Sequence, residues 1–385
     1  MSKIEELIAE LCPDGVEHKK LKDCTEMKRG TSATKSTLDE GRIPVISGGK
    51  EPAFYSNCSN RDGETITVAG SGAGAGYVQY WNEPIFVNDA FSIKVNEKIN
   101  TRYLYHFLLN IQGEIYATKK GGGVPHVHIS SIENFIIPLP PLPVQQEIVR
   151  ILDNFTELTA ELTAELTARK KQYEYYSNSL LSFETTTPRV RLGDICTIIT
   201  KGTTPKSYQS SGVAFVKTEA FDGSRIVPEK LSYVDEETHL GFLKRSILQA
   251  DDILITIAGA TIGKCAMVPV NILPANTNQA LAIIRLADGN SKKYVMYLLQ
   301  SNHMKEYMQI NIKGSAQPNL NLKQLNDFII PLPRLEEQER IVAILDRFDI
   351  LCNDIREGLP AEIEARRKQY EYYRDKLLTF KEASA

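Results

Sequence analysis

The chain has 385 residues, enough for two or three domains with cores of their own. Its hydrophobic fraction of 42% and charged fraction of 24% are those of an ordinary soluble protein, and the net charge of −3 leaves any nucleic-acid contact to local patches. Six scattered cysteines without a CxxC pair argue against a disulfide framework and against a zinc site, and suit a reducing cytoplasm. Met1–Leu11 is charged and amphipathic, unlike a signal peptide. Up to residue 140, β-branched runs alternate with Gly, Asn and Pro turns, and a short helix is expected over Thr101–Ile111, which together read as an α+β globule. ProLeuPro at 138–140 then marks a strand-to-helix boundary. A helix follows, with Ile151, Leu152, Phe155, Leu158, Leu162, Leu166, Tyr173, Tyr176 and Leu180 in one stripe at three- and four-residue spacing. From residue 185 the same order recurs: β-rich stretch, a short helix over Lys292–Tyr307, ProLeuPro at 331–333, and a stripe through Ile341, Leu345, Phe348, Ile355, Leu359, Ile363, Tyr370, Tyr373 and Leu377. Gly358 and Pro360 predict a kink or short break in that second helix. The most apolar stretch, Ile253–Val270, carries Lys264 and two glycines and reads as a buried strand and turn.

Repetition therefore organises the chain. FIIPLPPLPVQQEIVRILDNF at Phe135–Phe155 and FIIPLPRLEEQERIVAILDRF at Phe328–Phe348 share 14 of 21 positions, where chance supplies about one or two. RKKQYEYYSNSLLSF from Arg169 and RRKQYEYYRDKLLTF from Arg366 share ten of 15. Thirteen residues separate the blocks in the first copy and 17 in the second, a difference of about one helical turn. Upstream, KKLKDC near Leu21 parallels VRLGDI near Leu192, and ArgGlyThr at 29–31 parallels LysGlyThr at 201–203. TITVAGSGAG from Thr65 aligns with ILITIAGATIG from Ile253, and VPHVHISSIENF from Val124 with QPNLNLKQLNDF from Gln317. Two tandem α/β-mixed domains, each followed by a long helix, are the expected fold. Two such stripes in one chain most simply pack as an antiparallel coiled coil with pseudo-twofold symmetry, an ordinary helical bundle being the plainer alternative. The expected boundaries are 1–140 and 185–333 for the domains, and 141–184 and 334–385 for the helical spacers. Leu152, Phe155, Leu162, Leu166, Tyr173, Leu345, Phe348, Ile355 and Tyr370 are the expected helix-interface residues. The tetrapeptide ThrAlaGluLeu occurs twice, at Thr159–Leu162 and Thr163–Leu166, and lengthens the helix while nearly keeping the stripe in phase.

Chemistry in the loops is sparse. GSGAGAG at Gly70–Gly76 fails the dinucleotide fingerprint. AGATIGKC at Ala258–Cys265 lacks the first Gly and the final Ser/Thr of a nucleotide-binding loop, so a tight strand-to-strand turn is the better reading of both. His126 and His128 resemble a metal or catalytic pair on one strand face. Their counterparts Asn319 and Asn321 are poor zinc ligands, so hydrogen bonding to base edges, or plain structural satisfaction, fits both pairs better. Lys119, Lys120 and Lys313 are candidates for phosphate neutralisation, and Arg29, Lys201, Thr203 and Thr204 sit at equivalent loop points. No methyltransferase, nuclease or nucleophile-elbow motif recurs. No catalytic, cofactor or metal residue is assigned.

This order of domains and helices resembles the specificity subunit of type I restriction–modification systems, and the tandem TAEL units resemble the subgroup called type IC. LysGlyThrThrPro at 201–205 matches the family's framework, whereas ArgGlyThrSerAla at 29–33 departs from it. The resemblance implies a non-catalytic cytoplasmic subunit in which each target-recognition domain reads one half of a bipartite DNA site. It further implies that the paired helices act as a ruler and dock two methylation subunits. Those subunits would carry S-adenosylmethionine, while restriction subunits would add ATP- and Mg-dependent translocation and cleavage. Divergence of the two domains implies an asymmetric target. A stand-alone DNA-binding regulator dimerising through its helices, and a scaffold whose β domains bind protein or glycan, are the competing readings; a modification-only assembly is a variant of the first.

Overall fold

The computed structural model describes residues 3–312, 319–354 and 357–383. The chain divides into two compact units, Met1–Thr163 with Ile363–Ala385, and Ala164–Glu362. In the first, the strands Thr25–Arg29, Ala90–Val95, Thr65–Ala69 and Val78–Trp81 lie in that order across an antiparallel sheet. A second sheet places Glu40–Ile46 between Phe54–Ser56 and Phe86–Val87, the latter pairing parallel. In the second unit the order is Cys196–Lys201, Leu281–Leu286, Ile253–Thr256 and Cys265–Met267, with Val213–Val216 between Ser232–Val234 and Ala275–Thr277, again parallel to the last. The two α/β domains therefore share the topology of these two sheets, and the second adds a ribbon of Phe221–Asp222 with Arg225–Ile226. Thr65–Ala69 and Ile253–Thr256 are buried at every residue, as suits β-branched runs at the centre of a sheet covered on both faces.

Helices pack on these sheets through matched caps. Asn100 accepts from the Tyr103 amide at the start of Thr101–Asn110, and Ser291 accepts from the Tyr294 amide at the start of Lys292–Gln300. The single helix expected over Lys292–Tyr307 is two, Lys292–Gln300 and Asn302–Asn311. Ser301 is extended between them, and its side chain caps the second helix by accepting from the Met304 amide. A residue that both ends one helix and caps the next leaves no gap in the apolar pattern, which is why periodicity alone merges them.

The near-identical FIIPLP blocks build the joint between each domain and its own helix. Ile136–Leu139 pairs with Glu17–Lys20, and Ile329–Pro331 with Arg189–Arg191. The Tyr103 hydroxyl donates to the Pro138 carbonyl (2.9 Å), and that of Tyr294 to Pro331 (3.0 Å). Buried Gln145 accepts from the Asn100 amide (2.8 Å) and donates to the Pro140 carbonyl (2.7 Å). Gln338 does the same with Ser291 (2.9 Å) and Pro333 (2.8 Å). A buried amide that satisfies both its donor and its acceptor cannot be exchanged for an apolar residue without orphaning backbone groups. This accounts for the identity of that glutamine in both copies.

Leu142–Leu180 is one unbroken helix of 39 residues, about 58 Å long. Thr159 and Thr163 of the TAEL units donate their hydroxyls to the carbonyls four residues back (2.8 and 2.7 Å), so neither polar side chain interrupts the helix. The second segment breaks as expected, into Leu335–Asn353 and Leu359–Leu377. A Cβ at Gly358 would lie 2.3 Å from the Ile350 carbonyl oxygen, so the chain there closes only over glycine. Within the first unit Phe155 stacks on Tyr373 with ring centres 5.4 Å apart, and Leu377 and Leu378 are buried in the core with Leu104, Leu108, Ile148 and Leu152. Within the second, Tyr173 and Tyr176 meet Phe348 at 6.1 and 5.6 Å, and Leu181 joins Tyr294, Leu298, Ile341 and Leu345. Each core is thus completed by residues from the end of a helical segment that begins after the other domain.

Candidate nucleic-acid interface

The two glycine-containing loops connect antiparallel neighbours, Thr65–Ala69 to Val78–Trp81 and Ile253–Thr256 to Cys265–Met267. A nucleotide-binding loop would instead lead into a helix. Letter matching superimposes AlaGly at 69–70 on AlaGly at 258–259, but the hydrogen bonds give another register. Gly76 donates to Ala69 and Gly263 to Thr256, while Val127 donates to Gly70 and Leu320 to Ile257. Gly72 (φ 80°) therefore corresponds to Gly259 (φ 90°), and Gly76 (φ 82°) to Gly263 (φ 88°). These left-handed positions favour glycine.

Beside each turn lies the segment with the paired polar residues. His126 forms an isolated bridge with Ser71 and another with Lys120, and Asn319 bridges Ala258. Val127 and Leu320 are buried between the polar partners. The pairs do not lie along a regular strand face as expected. His128 occupies the cap position of the turn Ile129–Ile132, and Asn321 caps Leu322–Asp327, accepting from the Gln324 amide in a reciprocal capping box. That bond engages the Asn321 carbonyl oxygen as a structural group. The rings of His126 and His128 lie nearly parallel with their centres 6.0 Å apart, and His128 is exposed. Lys119 sits with its ammonium 4.2 Å from the centre of the Tyr116 ring, and Lys120 is exposed next to the glycines 121–123. Lys119, Lys120, His126 and His128 thus form one polar patch with the first turn.

Arg29 and Lys201 are exposed final residues of equivalent strands. The glycines after them are fixed by close approach. A Cβ at Gly30 would lie 2.1 Å from the Asn88 carbonyl oxygen, and one at Gly202 would lie 2.2 Å from that of Asn278. Thr31 donates its amide to Val87 (2.9 Å) and Thr203 to Thr277 (3.0 Å), so the shared Gly-Thr holds the loop, while Thr204 beyond it is exposed. In the first domain Arg29, Ser32, Asn88, Asp89, His128 and Ser130 line a cleft of about 760 Å³, which brings two of the expected residues together. Lys313 and Ile355 lie outside the described residues. The polar lining of Asn88 and Asp89 escapes single-residue inspection. Its signal is the short match ValAsnAspAla at 87–90 against ThrAsnGlnAla at 277–280. Among the described residues no group of three or more His, Cys, Asp or Glu is placed to hold a metal ion, and no helix is long and apolar enough to cross a membrane.

The helix-interface residues are placed more decisively. Leu152 and Leu345 are fully buried, Phe155, Tyr173, Phe348 and Tyr370 are half-buried in aromatic contacts, and Leu162 and Leu166 are half-buried within the TAEL units. Three residues not expected from sequence, Arg102, His106 and Asp153, anchor the helices. His106, wholly buried, shares a hydrogen bond with Asp153 (2.8 Å) and another with the Tyr370 hydroxyl (3.3 Å), while Arg102 pairs with the same Asp153. Burial works to raise the Asp153 pKa, but the His106 and Arg102 hydrogen bonds outweigh it and hold the carboxyl below its ordinary value.

With this geometry established, the model of the type I restriction modification DNA specificity domain matches residues 13–169 and again 186–365. The chain belongs to that family. It is a type I restriction–modification specificity subunit, the non-catalytic component that recognises the DNA target. It is 35% identical over 297 residues to the Escherichia coli EcoR124I/EcoR124II specificity subunit, covering 74% of this chain and 72% of that one. A Haemophilus influenzae chain named for the same role is 34% identical over 369 residues, covering 88% of this chain and 89% of its own. The crystal structure of the specificity subunit from M. genitalium matches the fold with a TM-score of 0.61 at 17% identity, over 94% of this chain and 96% of that one. A chain from a study of type I complex assembly and conformational transition matches at 0.57 and 20%, over 95% and 98%.

Proposed function

We propose that this specificity subunit reads a bipartite, asymmetric DNA target, one half-site per domain, and belongs to the type IC-like subgroup in which TAEL units set the spacing. The boundaries assigned are 1–140 and 185–333 for the target-recognition domains, with 141–184 and 334–385 as helical spacers. In the cytoplasm it docks two methylation subunits through those helices, and restriction subunits join the assembly. S-adenosylmethionine, ATP and Mg belong to these partners. Lys119, Lys120 and Lys313 serve phosphates, His126, His128, Asn319 and Asn321 face base edges, and Arg29, Lys201, Thr203 and Thr204 contact the DNA from equivalent loop points.

The observation that carries this reading is the duplication of one scaffold with different surface chemistry. The loop glycines and the Gly-Thr closures repeat, whereas His126 and His128 give way to Asn319 and Asn321 at the same structural points. Two heads with one frame and two surfaces read two sequences. Methylation mapping of a genome expressing this chain with its partner tests it: two unlike half-sites around a fixed spacer are expected, and a palindromic motif would overturn the asymmetry. Removing one TAEL unit shortens the helix by about 6 Å. The spacer should shorten while both half-sites persist; altered half-sites would overturn the ruler.

A further inference from the structure

We propose that Asp89 is a base-reading residue of the first domain, with Ser71 as its positioning residue, and that together with Arg29 it selects a C·G pair in the half-site read there. This rests on the DNA-recognition role above. Asp89 is exposed at the strand junction, in the cleft that Arg29 and His128 also line. No ion pair joins Arg29 and Asp89 among the described residues, so the cleft lining carries a cation and an anion that are not closed into a salt bridge. Ser71, from the glycine turn opposite, donates its hydroxyl to one Asp89 carboxylate oxygen. Asn88, the preceding residue, is not available for reading. Its side chain accepts from the Ala33 amide and donates to the Ala33 carbonyl, both at 2.9 Å.

The second domain shows that the turn does not need the Ser71–Asp89 bond. There Ala258 stands where Ser71 does, yet the turn closes with the same backbone hydrogen bonds and the same two left-handed glycines. The facing loop also changes. Val87 and Thr277 both accept from the threonine after the close-approach glycine, whereas Gly70 donates to Asp89 and its counterpart Ile257 donates to Ala280. Residues 277–280 thus span what 87–89 span, and the added residue displays exposed Gln279. The carboxylate and the hydroxyl that orients it are absent together, while the frame persists. A polar pair dispensable for the frame and coupled in its replacement belongs to the surface that differs between half-sites.

A carboxylate only accepts hydrogen bonds. In the major groove it takes the amino group of cytosine or adenine and is repelled by the keto oxygens of thymine and guanine, and an arginine on O6 and N7 of the paired guanine decides for C·G. Ser71 fixes the rotamer so that the free carboxylate oxygen is presented to the base.

The test is methylation mapping with the full chain and its methylation partner, comparing Asp89→Ala, Asp89→Asn and Ser71→Ala with wild type. Asp89→Ala should relax one C·G position of one half-site, lowering preference there roughly ten- to hundredfold, and leave the other half-site unchanged. Asp89→Asn keeps the Ser71 contact but can also donate, so thymine should become acceptable at that position. Ser71→Ala should relax the same position less. If Asp89→Asn retains the wild-type motif, or if all three variants weaken both half-sites equally, the assignment is overturned. A wild-type complex with no bipartite motif would instead overturn the underlying recognition role.

Discussion

In the first domain the carboxylate of Asp153 is held by Arg102 and by the buried ring of His106; in the second, Asp346 takes Lys293 (2.5 Å) and the hydroxyl of Tyr297 (2.7 Å). Both aspartates close the same ILD sequence, and they tie the long helical segments to Thr101–Asn110 and Lys292–Gln300 of the preceding domains. The carboxylate has been kept while its partners have been exchanged. At the loops the reverse holds: backbone closures are identical, and the exposed side chains differ. The joint tolerates new donors because any donor of the right reach satisfies a carboxylate. The reading edge changes because its side chains face outward, where no neighbouring backbone dictates them.

The comparison is broken most forcefully at Leu152 and Leu345, which occupy the same buried place in each joint. Leu152→Ala and Leu345→Ala should each cost about 2–5 kcal/mol, seen in chemical unfolding. A large cost at one and none at the other would show that the joints are not equivalent. Asp153→Ala should cost about 1–3 kcal/mol, because it strands the buried His106 nitrogen as well as Arg102. Asp346→Ala strands the hydroxyl of buried Tyr297 but frees the half-exposed Lys293 ammonium to water, so it should cost somewhat less. Equal losses would mean that His106 adds nothing.

The smallest effect concerns Glu147, which has no carboxylate counterpart in the second copy, where Arg340 stands in its place. Hydrogen bonds from Arg150 and Lys3 lower its pKa from the ordinary 4.5 to about 2. A depressed carboxyl pKa contributes stability that is complete above the unfolded value and is lost as the pH falls from 4.5 to about 2. Glu147→Gln should flatten that part of the stability-against-pH curve, whereas Arg340→Gln, which removes the hydrogen bond that lowers the Glu337 pKa, should flatten it less because Glu337 is more open to solvent than Glu147.

Much of the architecture was legible before any coordinates. The FIIPLP and QYEYY blocks declared the duplication, their apolar stripes declared the helices, and Gly358 and Pro360 marked the break between Asn353 and Leu359. Glycine and proline act through the backbone they belong to, so their consequences are local and readable in order. The Ser301 break escaped because a serine at that point satisfies a helix pattern and a capping pattern equally well.

What sequence determined, then, was the repeat, the element types and the family to which the chain belongs. Tertiary structure alone decided the rest. It placed Leu377 and Leu378 in the first core and Leu181 in the second, set the register of the glycine turns two residues away from letter matching, and brought Asp89 against Ser71 in the cleft that Arg29 also lines. Each of these joins residues far apart along the chain. Such meetings depend on how the sheets and helices are stacked, and no local propensity encodes them.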